Sequence, residues 1–219
     1  MNPMSNPVSD RLLGDRRRVV VEHVRPTVDG GEFPAKATRG LPQRVSARAF
    51  ADGHDPLLAW VWHWPGARPL APDAPPPGMV EVPMEAAPQD VYGAWIKPRR
   101  LGAWSFAVVG IIDVWGGWAR DLTIRFQAGV DVELDLADGA ALATARAELQ
   151  VVSKSDRRAL TALASKLGAA TPSEARVDLA TREATMGLMR RTADLSHATI
   201  AGPYPMWVER EVAGYSSWY

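Results

Sequence analysis

Apolar and polar positions alternate in short runs as far as residue 136, and from there the spacing becomes helical. Val19-Val20-Val21 opens a β-branched run that Pro26 and the turn Asp29-Gly30-Gly31 close. Val45, Ala47 and Ala49 alternate with Ser46, Arg48 and Phe50, the period of a half-buried strand. Asp52-Gly53 marks a turn, and Leu57 to Trp64 forms the next predicted strand. Residues 65–78 are proline-rich, and Pro75, Pro76 and Pro77 cannot donate to a ladder, so an exposed loop is expected there. Further strands are predicted over Met79–Met84, Val91–Ile96, Trp104–Ile112 and Ala119–Phe126. In Val130 to Leu136 apolar and acidic residues alternate strictly, which predicts a strand with one face in a core. Short strands punctuated by turns predict an immunoglobulin-like β-sandwich over residues 18–137.

A helical unit is expected over 138–202. Asp138 suits an N-cap, and alanine dominates from there to Ala147. Ser155 can cap a second helix that places Leu160, Leu163, Ala164 and Leu167 on one face and ends at Gly168. Thr171-Pro172-Ser173-Glu174 combines a capping box with proline at the first helical position, a helix start. A third helical stretch carries Leu179, Met186 and Met189, with Gly187 expected to interrupt it. Residues 203–219 return to an extended, aromatic-rich pattern, and residues 1–17 read as a disordered leader.

Composition narrows the function classes. Hydrophobic residues make up 47% of the 219, enough for a sizeable core. Twenty-five basic residues balance twenty-five acidic ones, so nothing steers the chain toward nucleic acid or an anionic membrane. Arg16-Arg17-Arg18 is a short basic cluster and reads as a solvated face. The absence of cysteine removes thiolate metal sites and cysteine nucleophiles, and fits a reducing cytoplasm. The amino-terminal segment is too polar for a signal peptide, and Trp104 to Trp118 is too short and interrupted to span a bilayer.

Candidate chemistry is sparse. His23, His54, His63 and His197 show no metal-ligand spacing, and Asp52-Gly53-His54-Asp55 reads as a turn. Asp131, Glu133 and Asp135 would share one strand face at ~6–7 Å, a spacing glycosidase pairs can have. A regular polar strand offers no cleft, so they read as a solvated face. Nucleophile-elbow, dinucleotide and phosphate-loop patterns are missing. No catalytic residue, cofactor or metal site is expected. Trp60, Trp62 and Trp64 recur at period 2 and project from one strand face. They form either a stacking platform for sugar rings or part of a core or protein interface.

The segment from Val21 to Asp55 resembles the N-terminal domain of the α-1,4-glucan:maltose-1-phosphate maltosyltransferases. Pro26, Asp29, Gly30, Gly31, Phe33, Pro34, Lys36, Gly40, Phe50, Asp52, Gly53, His54 and Asp55 carry the likeness. It continues through Leu101-Gly102-Ala103-Trp104, Trp118-Ala119-Arg120-Asp121-Leu122, Ala128-Gly129 and Gly139-Ala140. Trp207-Val208-Glu209-Arg210 and Tyr215-Ser216-Ser217-Trp218-Tyr219 look like the segment that leads into that family's catalytic barrel. The loop at 65–78 and the Trp60, Trp62, Trp64 run stand outside the pattern.

The resemblance implies a family of retaining maltosyl transfer from maltose 1-phosphate, with its carboxylates on a barrel absent from this chain. It implies a sandwich and a helical insert at the front of the enzyme, both associated with homodimers. Residues 203–219 would then be a linker into that barrel. The expectation is therefore a non-catalytic assembly and dimerisation module, with the barrel of the parent enzyme as partner. The alternative is a module that binds α-1,4-glucan through Trp60, Trp62 and Trp64. Burial of those rings would favour assembly, and a flat exposed row would favour glucan.

Overall fold

The structure is a computed structural model that describes residues 18–67, 69–70 and 75–210. The expected leader at 1–17, part of the proline-rich loop and the aromatic tail from 211 onward lie outside the described residues.

Among the described residues nine strands run in chain order as β1 (Val19–Arg25), β2 (Ala35–Thr38), β3 (Gln43–Ala51), β4 (Leu57–Pro65), β5 (Val80–Pro83), β6 (Glu85–Ala87), β7 (Val91–Ile96), β8 (Gly102–Ile112) and β9 (Thr199–Glu209). They form a four-stranded sheet, β1-β3-β7-β6, and a five-stranded sheet, β2-β9-β8-β4-β5. Pairing is antiparallel throughout except for β2 with β9, which run parallel. One apolar core joins the two sheets: Val45, Ala47 and Ile96 from the first meet Val61, Phe106, Val108 and Met206 from the second. That arrangement is a β-sandwich. Between β1 and β2, Gly31 has φ +103, and an added Cβ would stand 2.8 Å from the Tyr204 ring. Glycine is required there by both backbone and space.

Five helices form a second compact unit, which takes in residues 113–196 with the short segment 54–56. They are α1 (Val114–Gln127), α2 (Glu133–Glu148), α3 (Lys154–Leu167), α4 (Ser173–Thr181) and α5 (Glu183–Arg191). Leu122, Leu136, Ala143, Leu160, Leu167 and Val177 are central to its own core. The boundary between sandwich and helices therefore falls after Ile112 and not at 137, and the helices are inserted between β8 and β9.

Two predicted strands are helices. Ala119–Phe126 lies in α1, where Trp115, Ala119 and Leu122 are buried at helical spacing. Val130–Leu136 spans the loop into α2: Val132 and Leu136 are buried four residues apart, while Leu134 between them is 76% exposed. Acidic Glu133 and Asp135 sit in the first helical turn, where the positive end of the helix dipole favours them. Asp138 is consequently inside α2 and caps nothing. Ser153, not Ser155, caps α3, accepting a hydrogen bond from the Asp156 amide at 3.1 Å.

The predicted third helix is two. The break is at Arg182, whose φ −62 and ψ 148 are extended, and Gly187 lies within α5. Thr185 stabilises the break by donating to the Leu179 carbonyl at 2.7 Å. α4 starts at Ser173, one residue later than the motif implies: Pro172 is its N-cap, with φ −50 and ψ 135, and no side-chain capping bond forms. Residues 203–209, expected as part of a linker, belong to β9 and pair with both β8 and β2.

Candidate functional site

The acidic trio comes apart in the fold. Asp131 accepts from the Glu133 amide at 3.1 Å, and Asp135 accepts from Arg125 Nη1 at 2.7 Å. Glu133 accepts from Ser173 Oγ at 3.0 Å and from Arg176 Nη2. Those bonds hold its carboxyl below the usual carboxylate range, with the Arg176 bond as the main cause. A carboxylate so held is a poor general acid. The arrangement ties α2 to α4 and forms no catalytic pair.

Asp52-Gly53-His54-Asp55 is a bend, with Gly53 at φ +87. The His54 carbonyl accepts from Arg120 Nη1 at 3.2 Å. Among the described residues no cluster of three or more histidine and acidic side chains could hold a metal ion.

The tryptophan row lies on β4 as its period requires, but on the face turned away from the inter-sheet core. Ala59 and Val61 point into that core, so Trp60, Trp62 and Trp64 point the other way. Their cross-strand partners are Val109, Ala107 and Ser105 of β8. This second face is also buried: Trp60 is 6% and Trp64 0% exposed, with Ala107 and Val109 at 0%. Trp62 is half-buried, and its indole donates to Glu81 Oε2 at 2.8 Å. The rings do not form an exposed row, so the premise for glucan stacking on Trp60, Trp62 and Trp64 is lacking.

His63, between two of these tryptophans, points into the sandwich core. It is 5% exposed, stacks on Trp104 at 5.7 Å, and its Nδ1 has no hydrogen-bond partner. Burial lowers its pKa. The folded state therefore resists a proton that the unfolded chain accepts below about pH 6.5. Stability is expected to fall as pH drops from about 6.5 toward the depressed folded value, by at most ~1.4 kcal/mol per pH unit. Urea titrations of the chain and of His63→Phe between pH 7.5 and 5 check this. The variant should lose that part of the pH dependence, and an unchanged pH dependence would refute it.

Two indoles among the described residues are exposed, Trp207 on β9 at 47% and, more fully, Trp95 on β7. It is 62% exposed, on the solvent face of the four-stranded sheet. Arg44 of β3 is its cross-strand partner, and Glu85 of β6 pairs with Gly93 one step along the same face. Together they border a hollow of about 300 Å³. No periodic signal marks a single exposed aromatic, so nothing in the sequence pattern singles it out.

Comparison with known proteins agrees with the motif likeness. Residues 17–210 match the family model for α-1,4-glucan:maltose-1-phosphate maltosyltransferase, domain N/S. An α-1,4-glucan:maltose-1-phosphate maltosyltransferase of Streptomyces coelicolor is 34% identical, over 92% of this chain and 29% of its own length. The maltosyltransferase of Chlorobaculum tepidum is 31% identical, over 96% of this chain and 30% of its own. That of Rhodospirillum rubrum is 30% identical, over 99% of this chain and 33% of its own. The chain thus spans about a third or less of the relatives it matches.

Proposed function

This chain belongs to the α-1,4-glucan:maltose-1-phosphate maltosyltransferase domain N/S family, and on that premise we propose that it is the non-catalytic assembly module of such an enzyme. The observation that carries this reading is the extent of the match. Residues 17–210 take in every described strand and helix, from Val19 to Glu209. The whole described fold is therefore domain N/S, which supports the reading that maltosyl transfer belongs to the part of the relatives that these residues do not match. The scattered, bonded carboxylates of the helical unit support the same division.

Assembly here means a homodimer that also holds the catalytic barrel. Large apolar side chains exposed on the helical unit, Leu134 at 76% and Ile124 at 59%, support a surface meant to be covered. The reading keeps the sandwich as immunoglobulin-like, supported by its short antiparallel strands in two sheets. It also places the chain in the cytoplasm, where a cysteine-free protein needs no oxidising compartment. No described helix is long and apolar enough to cross a membrane.

An assay of phosphate release from maltose 1-phosphate with a glucan acceptor tests the division. The 219-residue chain is expected to release none above a protein-free control. Release that Glu133→Gln or Asp131→Asn abolishes would overturn the reading.

A further inference from the structure

We propose that Trp95 is the centre of an α-glucan contact site on the solvent face of the four-stranded sheet. The proposal rests on the family reading only for the choice of polymer; the site itself comes from the geometry.

An indole is the residue a folded surface least readily leaves in water, because it carries ~150–250 Å² of mostly apolar area. Trp95 is nonetheless 62% exposed, while its chain neighbours Ala94 and Ile96 are buried at 6% and 1% on the core face. The strand is thus firmly seated and holds the ring outward.

Beside the ring the sheet is cut away. Gly93, two residues earlier on the same face, has no side chain, and an added Cβ would stand 3.4 Å from Arg44 Nη2 and 3.5 Å from Nε. The guanidinium therefore lies across the glycine, next to the indole. Glu85 faces the glycine from the other side, where β6 is exposed along its length. The hollow between them is about 300 Å³, at the lower end of the ~300–1,000 Å³ usual for small-ligand sites.

The chemistry of this lining selects a neutral polyhydroxylated ring. An apolar flat face suits the C–H face of a pyranose. A planar fork of donors and a carboxylate acceptor, one on each flank, suit its vicinal hydroxyl groups. Their opposite charges offset each other, so the hollow favours neither an anion nor a cation. A protein partner would need a wider apolar surround; apart from Val82 and Pro83 of β5, the residues that line the hollow beside Trp95 are charged or small.

Affinity electrophoresis of the full chain in gels containing soluble amylose tests this, with dextran as the differently linked control. Amylose is expected to retard the chain and dextran to leave it unaffected. Trp95→Ala should weaken apparent affinity about tenfold or more, Arg44→Ala should weaken it less, and Trp95→Tyr should keep most of it. Because Trp95 is exposed, its replacement should leave folding intact, which circular dichroism verifies. Absence of retardation by amylose, or equal retardation of Trp95→Ala, would overturn the proposal. So would a Trp95→Ala variant that changes from a two-chain to a one-chain mass without any amylose effect, which would make Trp95 a contact between copies. Loss of amylose binding with an unchanged mass supports the site, whatever the fate of the assembly reading.

Discussion

Replacing Gly139 by alanine is expected to destabilise the helical unit by about 1–3 kcal/mol. Helix propensity alone predicts the opposite sign, since alanine in a helix interior is favoured over glycine by about 1 kcal/mol. Packing decides. Gly139 is buried within α2, and an added Cβ would stand 2.1 Å from Trp118 Cζ2 and 2.4 Å from Cη2. No contact that close is tolerated, so α1 and α2 must separate or the indole must turn. The indole is not free to turn. Its Nε1 donates to the Asp135 carbonyl at 2.9 Å, and its ring packs on Trp115 at 4.4 Å. Trp115 in turn donates to the Ala180 carbonyl at 3.3 Å, which carries the strain to α4. Urea unfolding followed by far-ultraviolet circular dichroism measures the effect. Trp118→Leu combined with Gly139→Ala should recover most of the loss, because the clash needs both partners. A stabilised Gly139→Ala would mean that the two helices do not pack as described.

The fold was legible in the sequence wherever the signal was local. β3, β4, β5, β7 and β8 follow from period-2 alternation and glycine or proline punctuation. The helical packing of Leu160, Leu163 and Leu167 follows from its 3.6 period. The sequence misleads at Val130–Leu136, because seven alternating residues also satisfy a helical i, i+4 pair in Val132 and Leu136. In a helix, the acids Glu133 and Asp135 sit in the first turn, at the positive end of the dipole, instead of lining one face of a strand.

β9 was illegible as part of the sandwich for a topological reason. The helical unit separates it from β8 along the chain, and its pairing with β8 and β2 is non-local. The tryptophan row was correctly on one face, but period 2 does not say which face is inner. Small residues such as Ala59 occupy the inter-sheet side, and the large rings fill the other buried side. A strand apolar on both faces carries no inside or outside label.

The proposed self-association carries the second large expected effect. Ile124 on α1, Val130 in the loop that follows it and Leu134 in the first turn of α2 are 59%, 53% and 76% exposed. Neither helix propensity nor the core of the unit requires them to be apolar, since their neighbours Leu122 and Leu136 already fill that core. A two-fold interface buries each of them twice. At ~1.5–3 kcal/mol for each fully buried leucine, Leu134 contributes about 3 kcal/mol or more across such a dimer. Leu134→Asp removes that term and places a carboxylate in its stead. The dimer dissociation constant should rise about a hundredfold or more. The monomer should remain folded, because the substituted position is exposed.

Light scattering of the unmodified chain, coupled to gel filtration across a wide concentration range, tests the assembly claim most directly. The account predicts the mass of two chains, persisting on dilution into the micromolar range and falling to one for Leu134→Asp. A one-chain mass at every concentration would contradict it.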